Sequence, residues 1–96
     1  MATLQIEHPV TDFEDWKAAF DAAEPRRQAG RVRRYLVYRP IDDPAFVAID
    51  LEFDTRDEAE TFEVGLQAMW RSPEAARVLG GTPRSRVVEV VEQRVL

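Results

Sequence analysis

The chain contains no cysteine and a single histidine, and these two shortages exclude several classes of chemistry. Without cysteine there is no disulfide, no thiolate metal site and no thiol nucleophile. One histidine, His8, cannot supply a multi-histidine zinc or iron site within one chain. We therefore expect no bound metal ion.

Long apolar runs are also missing, since no stretch approaches the length of a membrane-spanning helix. Residues 1–8 lack the basic and apolar regions of a secretory signal. Eighteen acidic residues against 13 basic ones give a net charge of -5, which repels nucleic-acid phosphates and anionic lipids. Five arginines cluster between residues 26 and 34, but acidic residues recur around them. The sequence therefore predicts a cytoplasmic protein that binds neither nucleic acid nor membrane.

The residues that are present describe one domain spanning 1–96, and its most informative segment is 31–53. This segment predicts two strands joined by a proline- and aspartate-rich turn. One face of the second strand is fully apolar: Val47, Ile49, Leu51 and Phe53. The other face is half polar: Phe46, Ala48, Asp50 and Glu52. A sheet that is partly apolar on both faces, in so short a chain, needs a second layer from outside the chain.

The register of this hairpin follows from the position of its turn. If the turn spans residues 40–44, Arg39 pairs with Ala45 and Arg34 lies opposite Asp50. This register places opposite charges together on one face and apolar side chains together on the other.

Start signals for three helices flank the strands. Thr11 and Glu14 form the pattern of a capping box, and apolar residues follow at helical spacing until Pro25 breaks or kinks the helix. A second capping box, Thr55 with Glu58, precedes another apolar stripe. The third signal, Ser72-Pro73, places a cap before a proline at the first helical position.

Strands are predicted at both ends of the chain, over residues 2–8 and 84–96, so the order is β-α-β-β-α-(α)-β. Right-handed crossovers around a central hairpin give a four-stranded antiparallel sheet with helices on one face. The predicted fold class is therefore α+β, of the ferredoxin-like βαββαβ type.

Two local patterns resemble the dimeric α/β barrel superfamily, which includes antibiotic-biosynthesis-type monooxygenases, polyketide cyclases and many small bacterial proteins of unknown function. They are V-T-D-F-E-D-W-K-A-A-F from Val10 to Phe20, and F-x-T-R-D-E-A-E-T-F from Phe53 to Phe62. The resemblance implies a homodimer in which two sheets pack face to face. The interface would be formed by Val32, Arg34, Leu36, Tyr38, Phe46, Ala48, Asp50 and Glu52.

The segment Met69–Ala75 is similar to the S-P-H-F stretch of the monooxygenase group, with Glu74 where that group often has histidine. The resemblance implies either of two functions, each without a bound cofactor. One is a non-catalytic dimer that binds a small aromatic or polyketide-like molecule. The other is a cofactor-independent monooxygenase or cyclase acting on such a compound. The absence of histidine at Glu74 favours the first.

The candidate catalytic residue is His8, either a general base in a pocket or a hydrogen-bonded residue at a strand end. The candidate ligand-binding residues are Trp16, Arg33, Tyr35, Met69 and Trp70. Each has an ordinary alternative role: the aromatic residues could simply form core, and Arg33 could extend to water instead of binding a carboxylate or phenolate. The carboxylates of Asp50 and Glu52 are expected to form ion pairs rather than to work as an acid/base pair.

Overall fold

The computed structural model describes all residues 1–96 and contains four strands and four helices. In chain order they are β1 (Ala2–Pro9), α1 (Phe13–Ala22), α2 (Glu24–Ala29), β2 (Arg34–Tyr38), β3 (Phe46–Phe53), α3 (Arg56–Trp70), α4 (Pro73–Ala76) and β4 (Arg84–Glu89). The strands form one antiparallel sheet in the order β2-β3-β1-β4. The predicted α+β, ferredoxin-like fold is therefore confirmed. None of the helices combines the length and the apolar composition needed to cross a bilayer.

The core lies between one face of this sheet and the helices. Alternate residues of the two central strands supply its most buried side chains: Leu4 in β1, and Val47, Leu51 and Phe53 in β3. The helices close over them with Trp16 from α1 and with Ala59 and Phe62 from α3. Phe53 and Phe62 pack with their ring centroids 5.6 Å apart. No helix covers the opposite face of the sheet, to which the other set of alternating side chains points.

Two of the three predicted helix starts are confirmed. The Thr55 hydroxyl accepts a hydrogen bond from the Glu58 N–H at 3.2 Å, and the Glu58 side chain accepts one from the Thr55 N–H at 3.3 Å. Ser72 caps α4.

The capping box predicted for α1 is wrong. Asp12 is the cap of this helix and accepts from the Asp15 N–H, whereas the Thr11 hydroxyl donates to the Arg77 carbonyl at 2.9 Å. Aspartate caps a helix as well as threonine does, so the helix starts one residue later and Thr11 is released to connect β1 to the segment after α4.

Pro25 separates α1 from α2, as predicted. It lies in the first turn of α2, where a proline needs no backbone hydrogen bond. The α2 helix ends at Gly30, and a Cβ at Gly30 would overlap the ring of Phe62, so only glycine allows this close approach. Arg31 then adopts a left-handed conformation with φ of 70° and turns the chain toward β2.

This turn corrects the prediction that Val32 belongs to the uncovered face. The Val32 N–H donates to the Arg27 carbonyl, and its side chain packs against the core. The alternation of β2 begins only at Arg34, so the parity of the strand cannot be extended back to Val32.

The predicted hairpin register is wrong by two residues. Arg34 lies opposite Glu52 rather than Asp50, and Tyr38 lies opposite Ala48. The pair of Arg39 with Ala45 does not form, because the loop is longer than the predicted turn and the first two residues of β3 pair only with β1. A shift of two residues leaves the side chains within β2 and β3 on their predicted faces.

The last strand is also shorter than predicted and ends at Glu89 rather than Leu96. Glu89 pairs with Ala2, the first residue of β1, so the ladder has no further partner residues. Residues 90–96 follow as an exposed segment.

Candidate functional site

A cavity of about 210 Å³ lies between the helices and the sheet. Fourteen of its 19 lining residues are hydrophobic. The sheet contributes Ile6, Ile49 and Leu51, and the helices contribute large side chains such as Phe20 and Leu66. A dry apolar cavity of about 150 Å³ is enough to hold benzene. This cavity therefore has the size and the lining to accommodate a single substituted aromatic ring.

His8 lies at the end of β1 and borders the cavity, with only 3% of its surface exposed. Its ring packs edge-on against Trp16, with centroids 5.8 Å apart. Its Nδ1 is 2.8 Å from the Pro9 carbonyl oxygen, which can only accept, so Nδ1 carries the proton. Nε2 therefore keeps its lone pair, and it makes no hydrogen bond to the protein.

The protonation of His8 is set mainly by its burial. Desolvation lowers the pKa of the imidazole below its ordinary value, and the hydrogen bond to the Pro9 carbonyl opposes this only in part. His8 is therefore neutral at pH 7, in a form that can accept a proton at Nε2.

Arg27, on α2, also borders the cavity and is 6% exposed. Its guanidinium carbon lies 3.7 Å from the centroid of the Phe20 ring, and Nη2 donates to the Phe20 carbonyl at 2.7 Å and to Glu24 at 3.1 Å. Its Nε is buried and has no hydrogen-bond partner. Sequence reasoning missed this residue because it lies within an arginine-rich segment. Helical spacing gives no signal for it, because the helix is interrupted between Phe20 and Arg27.

The structure brings three of the predicted ligand-binding residues to this cavity: Trp16, Met69 and Trp70. Tyr35 does not line it, and packs behind it with its ring centroid 5.1 Å from that of Phe20.

Arg33 also lies away from the cavity. Its side chain is 54% exposed and is 2.6 Å from the carboxylate of Asp54. Arg33 precedes β2, which begins at Arg34, so the alternation of the strand does not determine the direction of its side chain. No group of three or more histidine and acidic side chains is placed to hold a metal ion.

The uncovered face of the sheet combines apolar side chains with pairs that are already satisfied. Arg34 contacts the Glu52 carboxylate at 2.7 Å, and the Tyr38 hydroxyl donates to Asp50 at 2.8 Å, which raises the pKa of Tyr38. Because both carboxylates have partners, they do not form a free acid/base pair. Leu36 and the Tyr38 ring are exposed between them, at 41% and 45%.

No protein-family model matches the sequence, and no curated protein matches it either. Solved structures do match, with low sequence identity over nearly the full length. A protein of unknown function from Nitrosomonas europaea has a TM-score of 0.71 and 14% identity, over 99% of this chain and 93% of its own. A candidate antibiotic biosynthesis monooxygenase from the same organism has a TM-score of 0.71 and 17% identity, over 96% and 100%.

A third match is a dimeric ferredoxin-like protein from an uncultured marine organism, with a TM-score of 0.63 and 11% identity, over 97% of each chain. Identities this low show the fold and not the activity. These similar structures therefore support the ferredoxin-like fold and show nothing beyond it.

The burial of His8 predicts a pH-dependent stability. The folded state holds the imidazole proton less tightly than the unfolded chain, so the unfolded state binds more protons as pH falls below about 6.5. His8 therefore contributes its full stability above that pH and loses part of it as pH falls toward the lowered folded pKa. We expect the free energy of unfolding of the wild type, minus that of the His8→Gln variant, to be smaller at pH 5 than at pH 8. Urea unfolding of both proteins across this range measures the difference. A constant or reversed difference would contradict a lowered pKa of His8 in the folded state.

Proposed function

We propose that the protein is a homodimer that binds a small aromatic or polyketide-like molecule in the cavity between its helices and its sheet. The observation that carries the proposal is the apolar cavity of about 210 Å³, which is bordered by a buried histidine and a buried arginine. Protein interiors are normally packed to high density, so an apolar cavity of this size is an exception. A binding role gives a reason for the cavity and for the two polar groups beside it.

The uncovered sheet face supports the dimer. Leu36 and Tyr38 are exposed there, and the ionic groups beside them are paired within the chain, so burial would leave few of them unsatisfied. The segment after β4 adds further exposed apolar side chains at Val91, Val95 and Leu96. Two of the similar solved structures are named dimeric ferredoxin-like proteins. A second copy of this chain, applied sheet to sheet, would cover these surfaces.

The Leu36→Asp variant tests the dimer. In a twofold interface the change places two unpaired carboxylates in a desolvated surface, which we expect to weaken association by about 100-fold or more. Val64→Asp is the matched control, because Val64 is 67% exposed on α3, away from the sheet. Sedimentation over a dilution series measures the dissociation constants. A wild-type protein that is monomeric at micromolar concentration, or an equal effect of the two substitutions, would contradict the proposed interface.

The Ala19→Leu variant tests the cavity. Ala19 is an exposed residue of α1 that nevertheless borders the cavity, so a larger side chain there narrows the opening without entering the packed core. Ala18→Leu is the control, since Ala18 is exposed on the same helix and does not border the cavity. We expect Ala19→Leu to weaken the binding of benzamide, a neutral one-ring probe, by roughly tenfold, and Ala18→Leu to leave it unchanged. Quenching of Trp16 and Trp70 fluorescence measures the affinity. Equal affinities in all three proteins would contradict binding in this cavity.

A second candidate function is cofactor-independent oxygenation or cyclisation of the bound compound. The observation that favours it is the neutral imidazole of His8 beside the cavity, with Nε2 free of protein partners. Nε2 could take the proton of a phenol or enol and leave an electron-rich anion. In the oxygenase version this anion is the reductant and molecular oxygen the oxidant.

The His8→Gln variant tests this second candidate. If His8 is the base, the substitution lowers the turnover rate by about 100-fold or more while the protein stays folded. The rate is the consumption of oxygen with hydroquinone, a diphenol with a single ring, after subtraction of its spontaneous oxidation, and the melting temperature is the control for folding. Absence of turnover in the wild type, or an unchanged rate in the variant, would leave only the binding function.

A further inference from the structure

Arg27 is the buried charged residue of this protein. The other buried polar side chains are those of Thr3 and His8, and His8 is neutral at pH 7. Arginine is rarely buried to this extent unless its charge and its donors are satisfied. The environment of the guanidinium therefore indicates whether its role is only structural.

The protein satisfies this guanidinium only in part. Both of its hydrogen bonds to the protein come from Nη2, one to the Phe20 carbonyl and one to Glu24. Nη1 makes no hydrogen bond to the protein, and the buried Nε has no partner at all. The Glu24 side chain is 49% exposed, so solvent weakens its compensation of the charge. Buried polar atoms are almost always paired, so the unpaired Nε shows that the protein alone does not satisfy this guanidinium.

The location of Arg27 shows what else could satisfy its charge. Arg27 borders the same cavity that Trp16, Phe20 and Trp70 line with aromatic surface. The Phe20 ring holds the guanidinium by a cation–π contact at 3.7 Å, so the charge is fixed at the cavity wall. Two further charged residues border the cavity, Arg26 and Glu74, but both are exposed, and water screens their charges. Arg27 is therefore the fixed and desolvated charge that a molecule inside the cavity would meet.

We infer that Arg27 binds the carboxylate of a small aromatic acid whose ring occupies the cavity. This inference rests on the proposed binding function and assigns a charge to its ligand. Nη1 has no protein acceptor and can donate to an anionic oxygen, and charge-assisted bonds of this kind are stronger than neutral ones. The volume of about 210 Å³ restricts the acid to a single substituted ring.

Benzoate and benzamide form the matched pair of probes that tests the inference. They have the same shape, and only benzoate is charged. We expect the wild type to bind benzoate at least tenfold more tightly than benzamide. We expect Arg27→Gln to remove this preference by weakening benzoate roughly tenfold while leaving benzamide within about twofold.

Arg33→Gln is the matched control, since it makes the same chemical change at an exposed arginine paired with Asp54, away from the cavity. It should leave both affinities unchanged. Equal binding of the two probes by the wild type, or equal effects of the two substitutions, would overturn the role of Arg27 and leave the cavity proposal standing. Failure of both probes to bind would overturn the cavity proposal as well.

A measurement on the wild type keeps the test independent of the stability of the variant. The Nε–H proton of Arg27 is buried, so its NMR signal should be visible and assignable through the side-chain carbons. Benzoate should shift this signal, and benzamide at equal saturation should not. A signal that stays unmoved while benzoate binds would overturn the inference, even if Arg27→Gln does not fold.

Discussion

The period-two alternation of β3 is the constraint on which the rest of this structure depends. β3 lies inside the sheet between β2 and β1, so its backbone is paired on both edges and its side chains alternate between the two faces. Val47, Ile49, Leu51 and Phe53 are buried toward the helices, and the residues between them are half-buried on the uncovered face. β3 therefore contributes residues to the packed core, to the wall of the cavity and to the proposed interface between two copies.

The break between α1 and α2 determines where the buried charge of Arg27 lies. In an unbroken amphipathic helix, a charged residue would normally lie on the exposed face and not against the core. Pro25 starts a new short helix, and Arg27 then folds back over Phe20 and bonds to its backbone carbonyl near the end of α1. The Phe20 carbonyl also accepts from the Ala23 N–H, and the negative end of the α1 dipole adds to the stabilisation of a guanidinium placed there. The break between the two helices and the buried position of Arg27 are therefore parts of one local arrangement.

The fold could be predicted from the sequence because alternation and helical spacing repeat over many residues, and a single error does not change them. The hairpin shows this: its register was wrong by two residues, yet Leu36, Ala48 and Asp50 stay on the predicted face. Single positions at the ends of elements were not predictable in this way. Val32 and Arg33 were misplaced because the left-handed turn at Arg31 delays the start of β2, and such a conformation in arginine has no signal in the sequence. Arg27, which borders the candidate site, lies in the short helix after the break between α1 and α2, and it was missed for the same reason.

The same alternation also separates the two proposed functions of the sheet. Ile49 and Leu51 border the cavity, while Asp50, between them on the same strand, binds the Tyr38 hydroxyl on the opposite face. A substitution on one face leaves the side chains of the other in place, because neighbouring residues of a strand never share a face. Dimer formation and ligand binding therefore need not be linked through direct contacts. Any coupling between them would have to pass through the backbone of β3, which the ladders to β1 and β2 hold on both sides.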